Sequence, residues 1–135
     1  MNRYRDYYKR GVGYLEDFKD NLSFFEPNHL AFLLQEGVKS LLKSVLSFYD
    51  VEFDTNIDSV EYLLDTLEDK TTIRLPSYMK EFLYELDNLY CEGGCSNSIG
   101  SVVLSSLIND KLEEITIVID DLRSFVVEEI GEDNL

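Results

Sequence analysis

The stretch Pro27–Tyr49, PNHLAFLLQEGVKSLLKSVLSFY, carries apolar residues at helical spacing along its whole length. Leu30, Leu33, Leu34, Gly37, Val38, Leu41, Leu42, Val45, Leu46 and Tyr49 form one broad face. Gln35, Glu36, Lys39, Ser40, Lys43, Ser44 and Ser47 form the other. An apolar stripe this wide has to be covered by other helices. Pro27 suits a first helical turn, where its missing N–H would have had no intrahelical partner.

Outward from this stretch the same periodicity recurs. Tyr4, Tyr7, Tyr8, Gly11, Leu15, Phe18 and Leu22 fall at steps of three and four, predicting a first amphipathic helix with a tyrosine-rich inner face. Gly11 and Gly13 each cost such a helix about 1 kcal/mol of intrinsic stability, so the spacing predicts a close helix crossing at Gly11 or a local weakness there. Ser23–Glu26 is short enough to demand an antiparallel return. After Tyr49, DVEFDTNID has turn formers and no helical period, and Asp58 or Asn56 can cap a third helix running to about Glu68 with Ile57, Val60, Leu63, Leu64 and Leu67 inside. Asp69–Arg74 reads as a polar loop. Pro76 and Ser77 then open a fourth helix with the stripe Met79, Phe82, Leu83, Leu86, Leu89 and Tyr90, ending before Gly93-Gly94.

The last helix starts near Asn97 or near Asn109-Asp110 and carries Leu112, Ile115, Ile119, Leu122, Phe125, Val126 and Ile130 on one face. The β-branched run ITIVI, Ile115–Ile119, reads as helix because its flanks DKLEE and DDLRSF continue the helical spacing. No second strand-like run exists to pair with it. The expectation is a single domain over residues 1–135, all-α, an up-and-down antiparallel bundle of four to five helices.

Composition excludes several functional classes. The formal net charge of −15, from 27 acidic against 12 basic side chains, opposes generic DNA binding, which depends on Lys and Arg releasing counterions from phosphate. No apolar run is long enough to span a bilayer, and the charged N-terminus MNRYRDYYKR is neither a signal peptide nor an anchor, so the chain is expected in the cytoplasm. Arg3, Arg5, Lys9 and Arg10 cluster in that N-terminus; they can meet an acidic partner or a phosphate, or form a solvated, frayed first turn.

Cys91 and Cys95 in CEGGC could contribute to a zinc site or a disulfide, but a zinc site needs four ligands and the chain has one histidine, His29. Two unlinked thiols beside a glycine turn is the simpler reading, and no metal or cofactor is expected. His29 has no spacing-defined nucleophile or carboxylate partner, and neither GVG at Gly11–Gly13 nor CEGGC is a phosphate loop. Lys39 and Lys43, one turn apart, would project together from the polar side of the central helix, either toward a phosphate with Gln35 or into ion pairs with neighbouring carboxylates.

With its helices placed, the chain resembles the HEPN family, the nucleotide-binding helical domain of higher eukaryotes and prokaryotes. The likeness rests on Arg5-Asp6-Tyr7-Tyr8 through Phe18-Lys19, on QEGVKSLLK (Gln35–Lys43) and on Asp58-Ser59-Val60-Glu61-Tyr62-Leu63-Leu64. It extends through Leu75-Pro76 with Glu85-Leu86-Asp87-Asn88-Leu89-Tyr90, and through Asp120-Asp121-Leu122-Arg123-Ser124-Phe125. The ribonuclease branch of that family carries an arginine followed a few residues later by a histidine. Here His29 is the only histidine and the nearest preceding arginine is Arg10, the third-helix histidine is replaced by Asp58, and Tyr90 leads into no arginine. RNA cleavage without a metal needs a proton acceptor and a cation at the phosphate, so catalysis is not expected.

The resemblance implies a non-catalytic nucleotide-binding or interaction module, homodimeric, with a small nucleotidyltransferase-type protein as partner. It places any ligand at Gln35, Lys39, Lys43, Asp58, Asp87 and Tyr90. The alternatives are a divergent ribonuclease toxin of the toxin–antitoxin kind, and an acidic helical adaptor that binds another protein through an exposed apolar stripe.

Overall fold

A computed structural model describes residues 3–22, 27–89 and 108–135. Every regular element among them is helical: α1 (Tyr4–Asp20), α2 (Pro27–Phe48), α3 (Val60–Lys70), α4 (Ser77–Leu89) and α5 (Leu112–Ile130), followed by a 3-10 turn at Glu132–Asn134. The helical bundle expected from periodicity is what these residues form, and ITIVI lies inside α5. The Ser23–Glu26 connection, Tyr90, Cys91, Cys95, Gly93-Gly94 and the possible start near Asn97 lie outside the described residues.

Residue pairing fixes the helix directions. Tyr4 meets Phe48 edge to face at 5.2 Å between ring centroids while Tyr14 meets Phe32 at 6.1 Å, so α1 and α2 are antiparallel. Tyr84–Asp65 and Lys80–Glu68 set α4 antiparallel to α3, and Lys111–Glu85 with Tyr78–Asp121 does the same for α5 and α4. Segment 49–59 runs back along α2: Val51 bonds to the Leu46 carbonyl, Phe53 lies against Tyr7, and Asp58 reaches Lys39.

The reversal at the end of α2 has a defined geometry. Val51 N–H donates to Leu46 O at 2.9 Å and Asp50 N–H to Ser47 O at 3.2 Å, with Asp50 at φ +56° in the left-handed position usually given to glycine. At the far end of the chain Gly131, at φ +94°, closes α5.

One hydrophobic core draws on all five helices, with Phe18, Leu34, Leu41, Leu42, Leu46, Leu63, Leu64, Leu67, Leu83, Leu86 and Ile115 fully or almost fully buried. The glycine crossing expected at Gly11 is present. A Cβ on Gly11 would sit 3.0 Å from the Gly37 carbonyl oxygen, and one on Gly37 only 2.6 Å from Leu15. The two backbones therefore pack where neither has a side chain, in the most extensive helix–helix interface of the fold.

Much of the polar face of α2 is buried, Gln35, Lys39, Ser40 and Ser44 included, because segment 49–59, α3, α4 and α5 pack on this helix as well as α1. Two expectations need correcting. Tyr49 and Ile57, expected inside, are exposed, since the chain has already left helical geometry at both. Helix α3 is capped by Ser59, whose hydroxyl accepts from Tyr62 N–H at 3.2 Å, and not by Asp58 or Asn56. The basic side chains Arg3, Arg5, Lys9 and Arg10 are exposed, as a solvated first turn requires, but that turn is anchored rather than frayed, with Tyr4 buried and Arg5 Nε donating to the Asn134 carbonyl at 2.7 Å.

Candidate functional site

Where segment 49–59 delivers the chain into α3, a cleft of about 480 Å³ opens between the N-terminal half of α2, the start of α3 and the last described turn of α4. Phe32, Gln35, Glu36, Lys39, Asp58, Ser59, Glu61 and Asp87 line it. Four of the residues singled out in the sequence thus come together: Gln35, Lys39, Asp58 and Asp87.

Lys43 does not join them. Its Nζ lies 6.0 Å from the centroid of Tyr7, on the α1 side of the helix, so Lys39 and Lys43 diverge and do not form a joint cation site. Tyr90 lies outside the described residues. Sequence reasoning missed Phe32, Glu36, Ser59 and Glu61. Ser59 had a readable signal, a serine immediately before the first apolar residue of a helical repeat.

Of the polar side chains lining the cleft, Gln35, Glu36, Lys39, Asp58, Ser59 and Asp87 already have structural work, whereas the Glu61 carboxylate faces solvent. Asp87, on α4, accepts from Val60 N–H at 2.9 Å, from Glu61 N–H at 3.0 Å and from the Ser59 hydroxyl at 3.0 Å. These N–H groups have no partner within their own helix, and their end of the helix dipole is positive. The position where a helix start would take a phosphate is therefore filled by the protein's own carboxylate. Gln35 Nε2 donates to the Leu86 carbonyl at 2.5 Å, meeting an acceptor near the end of α4.

Among the described residues lining the cleft, Lys39 is the only cation. Its side chain is 5% exposed and its ammonium is held by Glu36, at 2.8 Å, and by Asp58. Burial works against that charge, but the hydrogen bonds to Asp58 and Glu36 outweigh it and raise the pKa above the ordinary lysine value. An ammonium kept protonated is neither a base nor a nucleophile. Counting lining residues, one cation faces Glu36, Asp58, Glu61 and Asp87, so the cleft is acidic.

His29, in the first turn of α2, is exposed and stacks on Phe32 with 6.2 Å between centroids and 20° between planes. Among the described residues no group of three or more His, Cys, Asp or Glu side chains is arranged to hold a metal ion. No helix among them is long and apolar enough to cross a membrane. No protein-family model, curated protein or solved structure matches the chain.

Proposed function

We propose that this chain is a non-enzymatic, HEPN-like helical module that works by binding another protein, and that its partner is basic. The observation that carries this reading is the state of the cleft: the ammonium of Lys39 is neutralised by two carboxylates, and the start of α3 is occupied by Asp87. Polar groups that would otherwise receive a phosphate hold α2, α3 and α4 together, and what faces outward is negative charge. A chain of net charge −15 attracts positively charged surfaces over several ångströms beyond contact at physiological salt. The partner implied by the family resemblance is a small nucleotidyltransferase-type protein, and the resemblance also implies a homodimer.

The nucleotide half of the same reading keeps one observation in its favour, a cleft volume of about 480 Å³ that suits a small molecule. An untagged native pull-down at two salt concentrations, with calorimetric titration of adenine and guanine nucleotides to millimolar, separates the two. The expected result is a stoichiometric, salt-sensitive complex with a basic protein and no nucleotide heat. Saturable nucleotide binding abolished by Lys39→Ala would replace the interaction reading with the nucleotide one. Growth arrest on expression, lost with His29→Ala, would instead favour the ribonuclease-toxin alternative.

A further inference from the structure

Among the described residues the large apolar side chains left exposed are Phe32, Tyr49, Ile57, Tyr78 and Ile117. Of these, Tyr78 and Ile117, 50% and 51% exposed, line a common groove of about 360 Å³ between the start of α4 and the first half of α5. Buried Val118 contributes its floor. Its rim is Asp110, Glu113 and Glu114, all exposed and none in a salt bridge with a described residue. Tyr78 is fixed across the groove by its hydroxyl, which donates to Asp121 at 2.5 Å. Lys111 beside the groove makes its salt bridge with Glu85, at 3.1 Å, and interacts with Glu114 only through its charge.

We infer that this groove is the docking surface for a basic amphipathic segment of a partner protein, one apolar side chain seated between Tyr78 and Ile117 and Lys or Arg residues facing Asp110, Glu113 and Glu114. The inference rests on the interaction reading above and names its surface. Charge complementarity selects the occupant. A rim of exposed carboxylates that form no salt bridge with a described residue, around an apolar floor, opposes an acidic or purely apolar segment, because the carboxylates would be desolvated without compensation. The chain's own residues 90–107 carry a single charged side chain, Glu92, and so have no cation to offer. A second copy has basic residues at Arg3, Arg5, Lys9 and Arg10, but the apolar side chains among them are engaged at home: Tyr4 is buried, and half-buried Tyr7 and Tyr8 meet Phe53 and Arg123 of their own chain.

The probe is a synthetic helical peptide of about 14 residues built from Lys and Leu, with a Glu/Leu peptide of the same pattern as control, in fluorescence anisotropy at physiological salt. The Lys/Leu peptide is expected to bind and the Glu/Leu peptide not to. Ile117→Ser, which keeps every charge, is expected to weaken binding about tenfold, as loss of an interface anchor does. Ile57→Ser, at another exposed isoleucine elsewhere on the surface, should leave it unchanged. Glu113→Gln with Glu114→Gln should weaken binding and flatten its salt dependence. Equal effects of Ile117→Ser and Ile57→Ser would overturn the groove, as would amide shifts mapping to another face. Self-association that Ile117→Ser abolishes would overturn it in favour of a second copy. In all three cases the interaction reading stands or falls separately, on whether the unmodified chain retains its native partner in the pull-down.

Discussion

Gly37 and Lys39 are two residues apart on α2, which on a helix places them on nearly opposite sides, and the neighbours they admit are held by opposite means. At Gly37 the neighbour is α1, and it fits because a side chain is missing: Leu15 occupies the space where a Cβ would stand. At Lys39 the neighbours are segment 49–59, α3 and α4, and they fit because polar side chains are present and matched, Lys39 to Glu36 and Asp58, Gln35 to Leu86, Asp87 to the start of α3. A helix can thus be buried on both faces with only one of them apolar. The dry side tolerates no added volume, whereas the polar side tolerates no lost partner.

The largest effect is expected where that dry side is filled. Gly37→Leu should destabilise the chain by about 3 kcal/mol in urea unfolding, because a buried, tightly packed crossing cannot take up the added volume. Gly37→Ala should cost less, since about 1 kcal/mol of gained helix propensity offsets part of the clash with Leu15. A neutral or stabilising Gly37→Ala would show that α1 and α2 are less closely apposed than described. Next comes Asp87→Ala, which strips two backbone N–H groups and the Ser59 hydroxyl of their acceptor. It should cost about 2 kcal/mol, the range for losing a charged cap, and speed amide exchange at Val60 and Glu61. Asp87→Asn keeps one acceptor oxygen and should recover part of that loss. If Asp87→Ala left exchange at the start of α3 unchanged, the polar side would not be organised by capping.

The two sides also differ in how far they could be read from the chain. Helical period alone gave the positions of Leu15, Leu34, Leu41 and Val126, and a glycine on an otherwise apolar face pointed to the Gly11 crossing, because repetition and small size are local properties of a sequence. The polar side depended on long-range pairing. Asp87 caps a helix whose first residue, Val60, lies 27 residues earlier, and no local pattern announces that. Helical spacing puts Gln35 and Lys39 on the polar face of α2 without saying whether that face is buried, since burial of a polar face is decided by what covers it. The divergence of Lys39 and Lys43 escaped for the same reason: a ring on α1 and a carboxylate ahead of α3 draw them apart. Spacing along α2 singled out Gln35 and Lys39, the family resemblance added Asp58 and Asp87, and the pairing of their charges emerged only with their partners.

The smallest predicted effect tests whether the polar side alone carries pH dependence. Tyr84 on α4 donates to Asp65 on α3 at 2.7 Å, and that hydrogen bond, with partial burial and the Asp65 charge, pushes its pKa from 10.0 to about 12. Below pH 10 the phenol is protonated whether the chain is folded or not, and its contribution is fully present. Between pH 10 and about 12 the unfolded chain has lost the proton while the folded chain still holds it, so stability falls as pH rises. Lys39 acts in the same direction, its pKa raised above 10.5 in the folded chain, so its contribution is also lost on the alkaline side. Melting temperatures measured from neutral to strongly alkaline pH should therefore decline for the native chain and decline less steeply for Tyr84→Phe. Gly37→Ala should start lower yet run parallel to the native curve, because no proton is bound or released at the crossing. A Tyr84→Phe curve parallel to the native one would show that the α3–α4 hydrogen bond does not set the alkaline limb. A Gly37→Ala curve that diverged from it would show that the dry and polar sides of α2 are coupled through the helix, and the distinction between them would fail.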